Sequence, residues 1–159
     1  MTKSRFLLKI LSGVVLLVIG GYVCLSLLVV IQQGKYWKYD NGVTIEVINS
    51  TGKNIYDLEF TYGHSENSDF QEIGTIKKVE SGKTSILARK NFKINKIDKD
   101  LSLYMHSLVN GEKVEQSLLY LDVPKPNKVV VLIEIVEVDN KGKMKLKVKG
   151  FDGLSEFKY

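Results

Sequence analysis

The hydrophobic pattern divides the chain into one long apolar run and a following region in which apolar and polar residues alternate. The run extends from Ile10 to Ile31 and contains no charged residue. Its twenty-two residues would rise about 33 Å as a helix, enough to cross a bilayer core of about 30 Å. The run therefore predicts a transmembrane helix over residues 10–31, preceded by a tail of residues 1–9.

Beyond residue 42, apolar residues recur at every second position, which is typical of β-strands with one buried face. Turn-forming clusters separate these segments, for example residues 49–54 and the Asn110-Gly111 pair. No stretch after Tyr39 has a helical period. The pattern predicts a mainly β domain, an antiparallel β-sandwich of seven to nine strands. An immunoglobulin-like arrangement is one option, and an open barrel is the alternative fold.

Residues 129–138 form the most apolar predicted strand, because aliphatic side chains occupy both of its faces. A strand buried on one side only would alternate more regularly, so this strand is expected to be central and covered on its second face. We predict a protein interface on that face, formed by Val130, Leu132, Val136 and Val138.

The last predicted strand carries lysines at every second position, which would place them on one face as a basic ridge. One interpretation is an edge strand that lysine protects against pairing with another chain. The other is a site for an anionic envelope polymer or lipid headgroups. The residues of the ridge are Lys141, Lys143, Lys145, Lys147 and Lys149.

Aromatic residues and lysines fill the segment between the apolar run and the β-domain. Tyr36, Trp37 and Tyr39 are expected to lie at headgroup depth as an interfacial anchor. The predicted organisation is a cytoplasmic tail, a transmembrane helix, a juxtamembrane linker and an extracytoplasmic β-domain, over residues 1–9, 10–31, 32–41 and 42–159.

The charge distribution predicts the orientation of the helix. The first thirty-nine residues contain five Lys or Arg and no Asp or Glu, so the net charge of +5 belongs to the flanks of the run. The remaining chain is formally neutral, which argues against a nucleic-acid groove. Because Lys3, Arg5 and Lys9 outnumber the lysines on the other side, we expect the N-terminus in the cytoplasm.

A cleaved signal peptide is the alternative to an uncleaved signal anchor, since it also begins with basic residues and an apolar run. The run is longer than the usual apolar region of roughly 7–15 residues, which favours the anchor. Cys24 is the only cysteine and lies within the run, so the domain is expected to fold without an internal disulfide, which favours a bacterial envelope over a eukaryotic secretory route. Gly13, Gly20 and Cys24 fall near one helical face. They predict a packing stripe for a second helix, unless they are ordinary membrane residues.

No motif predicts catalysis, a cofactor or a metal. Residues 81–84 resemble the end of a phosphate-binding loop, but Lys77 stands where the motif requires glycine. His64 lies in a polar loop with Ser65 and Glu66, and the only other histidine, His106, belongs to another predicted strand. We therefore expect no catalytic residue, cofactor or metal site.

The turn at residues 49–53, the strand at residues 55–62, the turn at residues 81–83 and the closing hairpin together carry a resemblance. The β-domain resembles small membrane-anchored β-proteins of low-GC Gram-positive bacteria. The resemblance implies location and fold class, and no catalytic residue.

The sequence thus predicts a membrane-tethered, non-enzymatic binding or accessory module of a bacterial cell envelope complex. Its expected partner is another envelope protein, and an immunity protein that intercepts an exported toxin is one version of this hypothesis. The alternative is a binder of anionic polymer or lipid headgroups through the lysine ridge.

Overall fold

A computed structural model describes most of the chain. The chain divides into two compact units, Met1–Trp37 and Lys38–Tyr159, and each is described by itself. The described residues are 3–63, 70–94, 101–109, 111–121 and 126–159.

The first unit is helical. Helix α1 extends over Lys3–Gln33, and a short 3-10 helix follows over Gly34–Lys38. Gly34 has a φ of 51°, a left-handed conformation with which glycine commonly ends a helix. The segment Leu11–Ile31 has a mean hydropathy of 2.9 and is not buried. The helix is therefore long and apolar enough to cross a membrane.

The second unit is a β-domain whose described residues form nine strands. They lie within the predicted range of seven to nine and confirm the mainly β fold class. The strands are β1 Gly42–Asn49, β2 Ile55–Gly63, β3 Gln71–Val79, β4 Thr84–Lys90, β5 Leu101–Val109, β6 Glu112–Leu121, β7 Lys128–Val138, β8 Met144–Phe151 and β9 Glu156–Lys158.

The strands form two sheets that pack against each other as a sandwich. Sheet A has the order β4-β1-β7-β8-β9, and sheet B has the order β3-β2-β5-β6. The expectation of an entirely antiparallel sandwich is wrong at one pair, because β1 runs parallel to β7. These two strands are far apart in the sequence. No tight hairpin forces them to be antiparallel, whereas hairpins do so for β5 with β6 and β7 with β8.

The core lies between the sheets and follows the predicted alternation. In β5, Leu101, Leu103 and Met105 point into it, while Ser102, Tyr104 and His106 alternate with them on the opposite side. Strand β7 contributes its most buried face, which consists of Val129, Val131, Ile133 and Ile135. Each sheet therefore has a second face that is directed away from the core. The polar side chains of the candidate sites lie on these outward faces.

Asn49 connects the two sheets at one end of the sandwich, although it is a polar side chain with 0% exposure. Its Nδ2 donates to the carbonyl oxygens of Lys53 and Val79 at 2.8 and 3.0 Å. Its Oδ1 accepts from the backbone N–H and the hydroxyl of Thr51 at 3.0 and 2.7 Å. Because Val79 ends β3 of sheet B and Asn49 ends β1 of sheet A, one amide holds both sheets and the turn between them.

We expect Asn49→Ala to destabilise the β-domain by about 2–3 kcal/mol, because it leaves the buried carbonyl of Val79 without its hydrogen bond. Chemical denaturation of the full chain in non-ionic micelles would measure the free energy of unfolding. Asn140→Ala, in an exposed turn, is the matched control and should change it by less than about 0.5 kcal/mol. Equal effects of the two substitutions would contradict the role given to Asn49.

Candidate functional site

The apolar interface predicted on β7 is only partly accessible. Val130 does point away from the core, but it is 0% exposed because the protein itself covers it. Leu132 and Val136 are half-buried. The prediction that something lies over this part of β7 is correct, but Val130 is not available to a partner.

Val138 was expected on the same outward face, and this expectation is wrong. The register between β7 and β8 shifts between Ile135 and Glu137. A β-bulge of this kind inserts one residue and reverses the alternation beyond it. Val138 consequently packs against the core opposite Met144.

The predicted lysine ridge is shorter than five residues. Lys145, Lys147 and Lys149 are exposed on the outward face of β8. Lys141 and Lys143 precede the strand. Their backbone N–H groups both donate to Oδ1 of Asp139 at 2.8 Å, so these two residues belong to the turn and their spacing of two does not continue the ridge.

Strand β8 is also not a simple edge strand, since β9 covers part of it. Lys149 lies opposite Lys158, and Val148 exchanges two backbone hydrogen bonds with Tyr159. The protective role proposed for the lysines can therefore apply only to the first half of β8. Lys149 lies between two strands and needs another explanation.

The outward face of sheet A contains a concave site of about 240 Å³, which we call the lysine pocket. Leu132 and Ile48 contribute apolar surface, and Tyr159 also lines the pocket. The charged groups of the lysine pocket are Glu134, Lys147, Lys149 and Lys158.

Glu134 occupies the anionic side of the lysine pocket and is already engaged. The hydroxyl of Ser50 donates to its Oε1 at 3.0 Å, and Lys147 Nζ lies 3.4 Å from its Oε2. These hydrogen bonds, first from Ser50 and then from Lys147, lower the pKa of Glu134. No carboxylate in the described part of the chain lies within ion-pair distance of Lys149 or Lys158.

A second polar site lies on the outward face of sheet B, and we call it the carboxylate cavity. It has a volume of about 340 Å³, and His106 forms part of its floor. The imidazole is only 5% exposed; its Nε2 shares a hydrogen bond of 2.7 Å with Thr61 Oγ1. The other lining residues are Glu59, Phe70, Glu72, Lys113 and Glu115.

The charges of the carboxylate cavity come from three strands, and His106 comes from a fourth. Glu59 in β2 and Glu115 in β6 both lie opposite His106 in β5, one on each side. Glu72 in β3 lies opposite Thr61. Burial, and next the positive charge of Lys113, lower the pKa of His106, although Glu115 and Glu59 act in the opposite direction. The imidazole is therefore neutral at pH 7.

The structure does not group the other predicted residues into a site. Trp37 is 63% exposed and suits an interfacial anchor, whereas Tyr36 is buried. The hydroxyl of Tyr39 donates to Glu46 of β1 at 3.1 Å. Gly13, Gly20 and Cys24 are exposed on α1. The anchor and the helix-packing stripe remain predictions. His64, Ser65 and Glu66 lie outside the described residues.

Comparison with known proteins gives little guidance. No family model and no curated protein matches the chain. A solved structure, described as the NMR structure of the protein from Eubacterium rectale, is 17% identical and covers 71% of this chain and 92% of its own, with a TM-score of 0.36. That score is too low to support an argument, so function is inferred from the residues of this chain.

We expect acid to destabilise the β-domain partly through His106. Its pKa in the folded protein is below its ordinary value of 6.5, so below that pH the unfolded chain binds a proton that the folded one does not. The stabilising contribution is complete above pH 6.5 and is lost as the pH falls through the lower, folded pKa.

His106→Gln, which retains a group able to bond Thr61, removes this titration. The comparison is the difference in free energy of unfolding between pH 7.5 and pH 5, measured by denaturation of the wild type and the variant. The wild type should lose more free energy of unfolding between pH 7.5 and pH 5 than the variant does. An identical loss in both proteins would show that His106 does not titrate as described.

Proposed function

We propose that the protein is a membrane-tethered, non-enzymatic binding module that holds an anionic component of a bacterial cell envelope through the lysine pocket. The β-domain works outside the cytoplasm, and α1 is an uncleaved signal anchor. This proposal joins the apolar face and the lysine ridge predicted from the sequence, because Leu132 and the lysines border one concavity.

The observation that carries the proposal is the direct opposition of Lys149 and Lys158 on adjacent strands. Like charges directly opposite each other in a sheet destabilise it. An anion between the two ammonium groups relieves that repulsion. Lys147, whose Nζ lies 3.4 Å from Glu134, adds a third ammonium group at the same rim.

The apolar surface of the lysine pocket limits the kind of anion. Leu132 and Ile48 would contact carbon atoms of the ligand. Phosphate groups on a carbon backbone, as in a poly(glycerol phosphate) chain, present both features. Lysine binds phosphate as a compact point charge and does not demand a planar partner.

A protein partner would use the same surface. With Val130 covered and Val138 in the core, the apolar area left for a protein is Leu132 and its neighbours. An acidic segment of another envelope protein, or of an exported toxin in the immunity hypothesis, would have to bind at the three lysines.

The proposed location of the β-domain outside the cytoplasm depends on the charged residues that flank α1. The basic tail before the helix favours a cytoplasmic N-terminus by the positive-inside bias. The rest of the chain carries equal numbers of acidic and basic residues, so no net positive charge opposes its export.

Replacing Lys147, Lys149 and Lys158 together by Gln should weaken binding of poly(glycerol phosphate) at least tenfold, because three ammonium groups are lost. Calorimetric titration of the full chain in non-ionic micelles measures the affinity, and the wild-type affinity should also fall as salt is added. The matched control replaces Lys53, Lys77 and Lys83, which are equally exposed elsewhere in the domain, and should change it less than twofold. Equal weakening by both triple variants would refute the lysine pocket.

A membrane-impermeant maleimide should label Asn140→Cys on intact cells, in a background where Cys24 is replaced by Ser. Asn140 is an exposed turn residue of the β-domain. A cysteine at position 2, in the N-terminal tail, should be labelled only after lysis. The labelled protein should remain in the membrane fraction at full length. The reverse labelling pattern, or a shortened protein in the medium, would contradict the anchor and its orientation.

A further inference from the structure

The carboxylate cavity has a charge opposite to that of the lysine pocket. Three carboxylates line it, from Glu59, Glu72 and Glu115, and Lys113 provides one ammonium group. Because His106 is neutral at pH 7, the carboxylates outnumber the cations. A ligand of this cavity must therefore bring positive charge.

One carboxylate of the cavity already binds an ammonium group, that of Lys113. Its Nζ lies 2.7 Å from Glu59 Oε2, a short, charge-assisted hydrogen bond between an ammonium group and a carboxylate. Glu72 and Glu115 have no such partner, since no lysine or arginine among the described residues lies within ion-pair distance of either. The cavity thus holds one ammonium group and has carboxylates left for a second.

The buried imidazole makes no hydrogen bond on the side of the cavity, although Glu115 lies within ion-pair distance of it. His106 Nδ1 lies 3.6 Å from Glu115 Oε2, which is longer than a hydrogen bond. When its proton is on Nε2, that proton binds Thr61 and the Nδ1 lone pair faces the carboxylate. A group with several N–H donors can bond to Nδ1 and Glu115 together, whereas an anion would be repelled by both.

An aromatic ring completes the wall. Phe70 contacts Tyr104 and His106 edge to face, with centroid distances of 5.5 and 6.0 Å. These contacts fix the orientation of a half-buried ring that lines the cavity. An aromatic ring attracts cations and also packs against a short apolar stem. No three His, Cys, Asp or Glu side chains of the described residues converge closely enough to hold a metal ion, so an organic cation fits better.

We propose that the carboxylate cavity is a second binding site, which takes a primary ammonium group on a short apolar stem. The ammonium group lies beside Glu115 and donates to its carboxylate and to His106 Nδ1, Glu72 adds negative charge to the same cavity, and the stem lies against Phe70. Such a group can be a lysine side chain of a peptide or a free aliphatic amine.

The test is a titration of the full chain in non-ionic micelles with n-butylammonium chloride, followed by the backbone amide NMR signals of Thr61 and His106. The signals should shift and saturate, whereas n-butanol and sodium chloride should not shift them. Glu72→Gln with Glu115→Gln should weaken binding about tenfold or more. The control pair, Glu80→Gln with Glu137→Gln, replaces two exposed glutamates elsewhere in the domain and should leave the affinity for butylammonium unchanged.

Lys113→Gln tests the proposal through a gain of affinity, which a loss of folding stability cannot produce. It removes the resident ammonium group and frees Glu59, so binding should strengthen at least threefold. An acetylated, amidated Gly-Lys-Gly peptide distinguishes the sources. Binding tighter than that of butylammonium indicates a peptide, and equal binding indicates a free amine.

Three results would overturn the proposal: no saturable shift, weaker binding to Lys113→Gln, or equal losses in the two Glu→Gln pairs. Thermal unfolding of each variant checks that it is folded. The triple lysine variant of the lysine pocket should bind butylammonium normally, so failure of one site is distinguishable from failure of the other.

Discussion

The buried amide of Asn49 is the contact on which the arrangement of the sandwich depends. Two sheets that meet only through aliphatic side chains can slide, because hydrophobic contact has no preferred direction. The amide is directional. The backbone of Asn49 makes two further hydrogen bonds: its N–H donates to the carbonyl of Lys83, and its carbonyl accepts from the N–H of Gly82. Asn49 therefore also fixes the turn between β3 and β4, at which the chain passes from sheet B to sheet A. Which residues of β7 face outward then follows from its own alternation and from the bulge between Ile135 and Glu137.

The outward faces of the two sheets differ in charge, which the neutral total of the domain conceals. Sheet A presents Lys147, Lys149 and Lys158, and sheet B presents Glu59, Glu72 and Glu115. Because strands alternate between core and solvent, most charged residues of a strand are directed to the outward face of the sheet to which that strand belongs. Counting charges along the chain cannot reveal this separation, because the chain passes back and forth between the sheets: β1, β4 and β7 to β9 belong to sheet A, and β2, β3, β5 and β6 belong to sheet B.

The strands were predictable where short-range rules act, and the failures have local physical causes. Alternation and turn residues located the strands from β1 to β8. The three-residue β9 was missed because it has no pattern of its own and forms only by pairing with β8. Regular alternation along β2 would place Tyr56 on the same face as Leu58, but Asp57 has a φ of 50°, which interrupts the alternation and leaves Tyr56 exposed. The bulge that redirects Val138 is likewise a property of the pairing with β8 and leaves no signal in β7.

The two candidate sites share a further property that sequence reasoning could not supply. Thr61 and His106 are 45 positions apart, and Lys149 meets Lys158 only through β9. Each site also breaks a local rule: like charges face each other in one, and a neutral imidazole lies between two carboxylates in the other. Folds tolerate such violations where function requires them. Sequence reasoning depends on those same local rules, so it passes over the positions at which the fold departs from them.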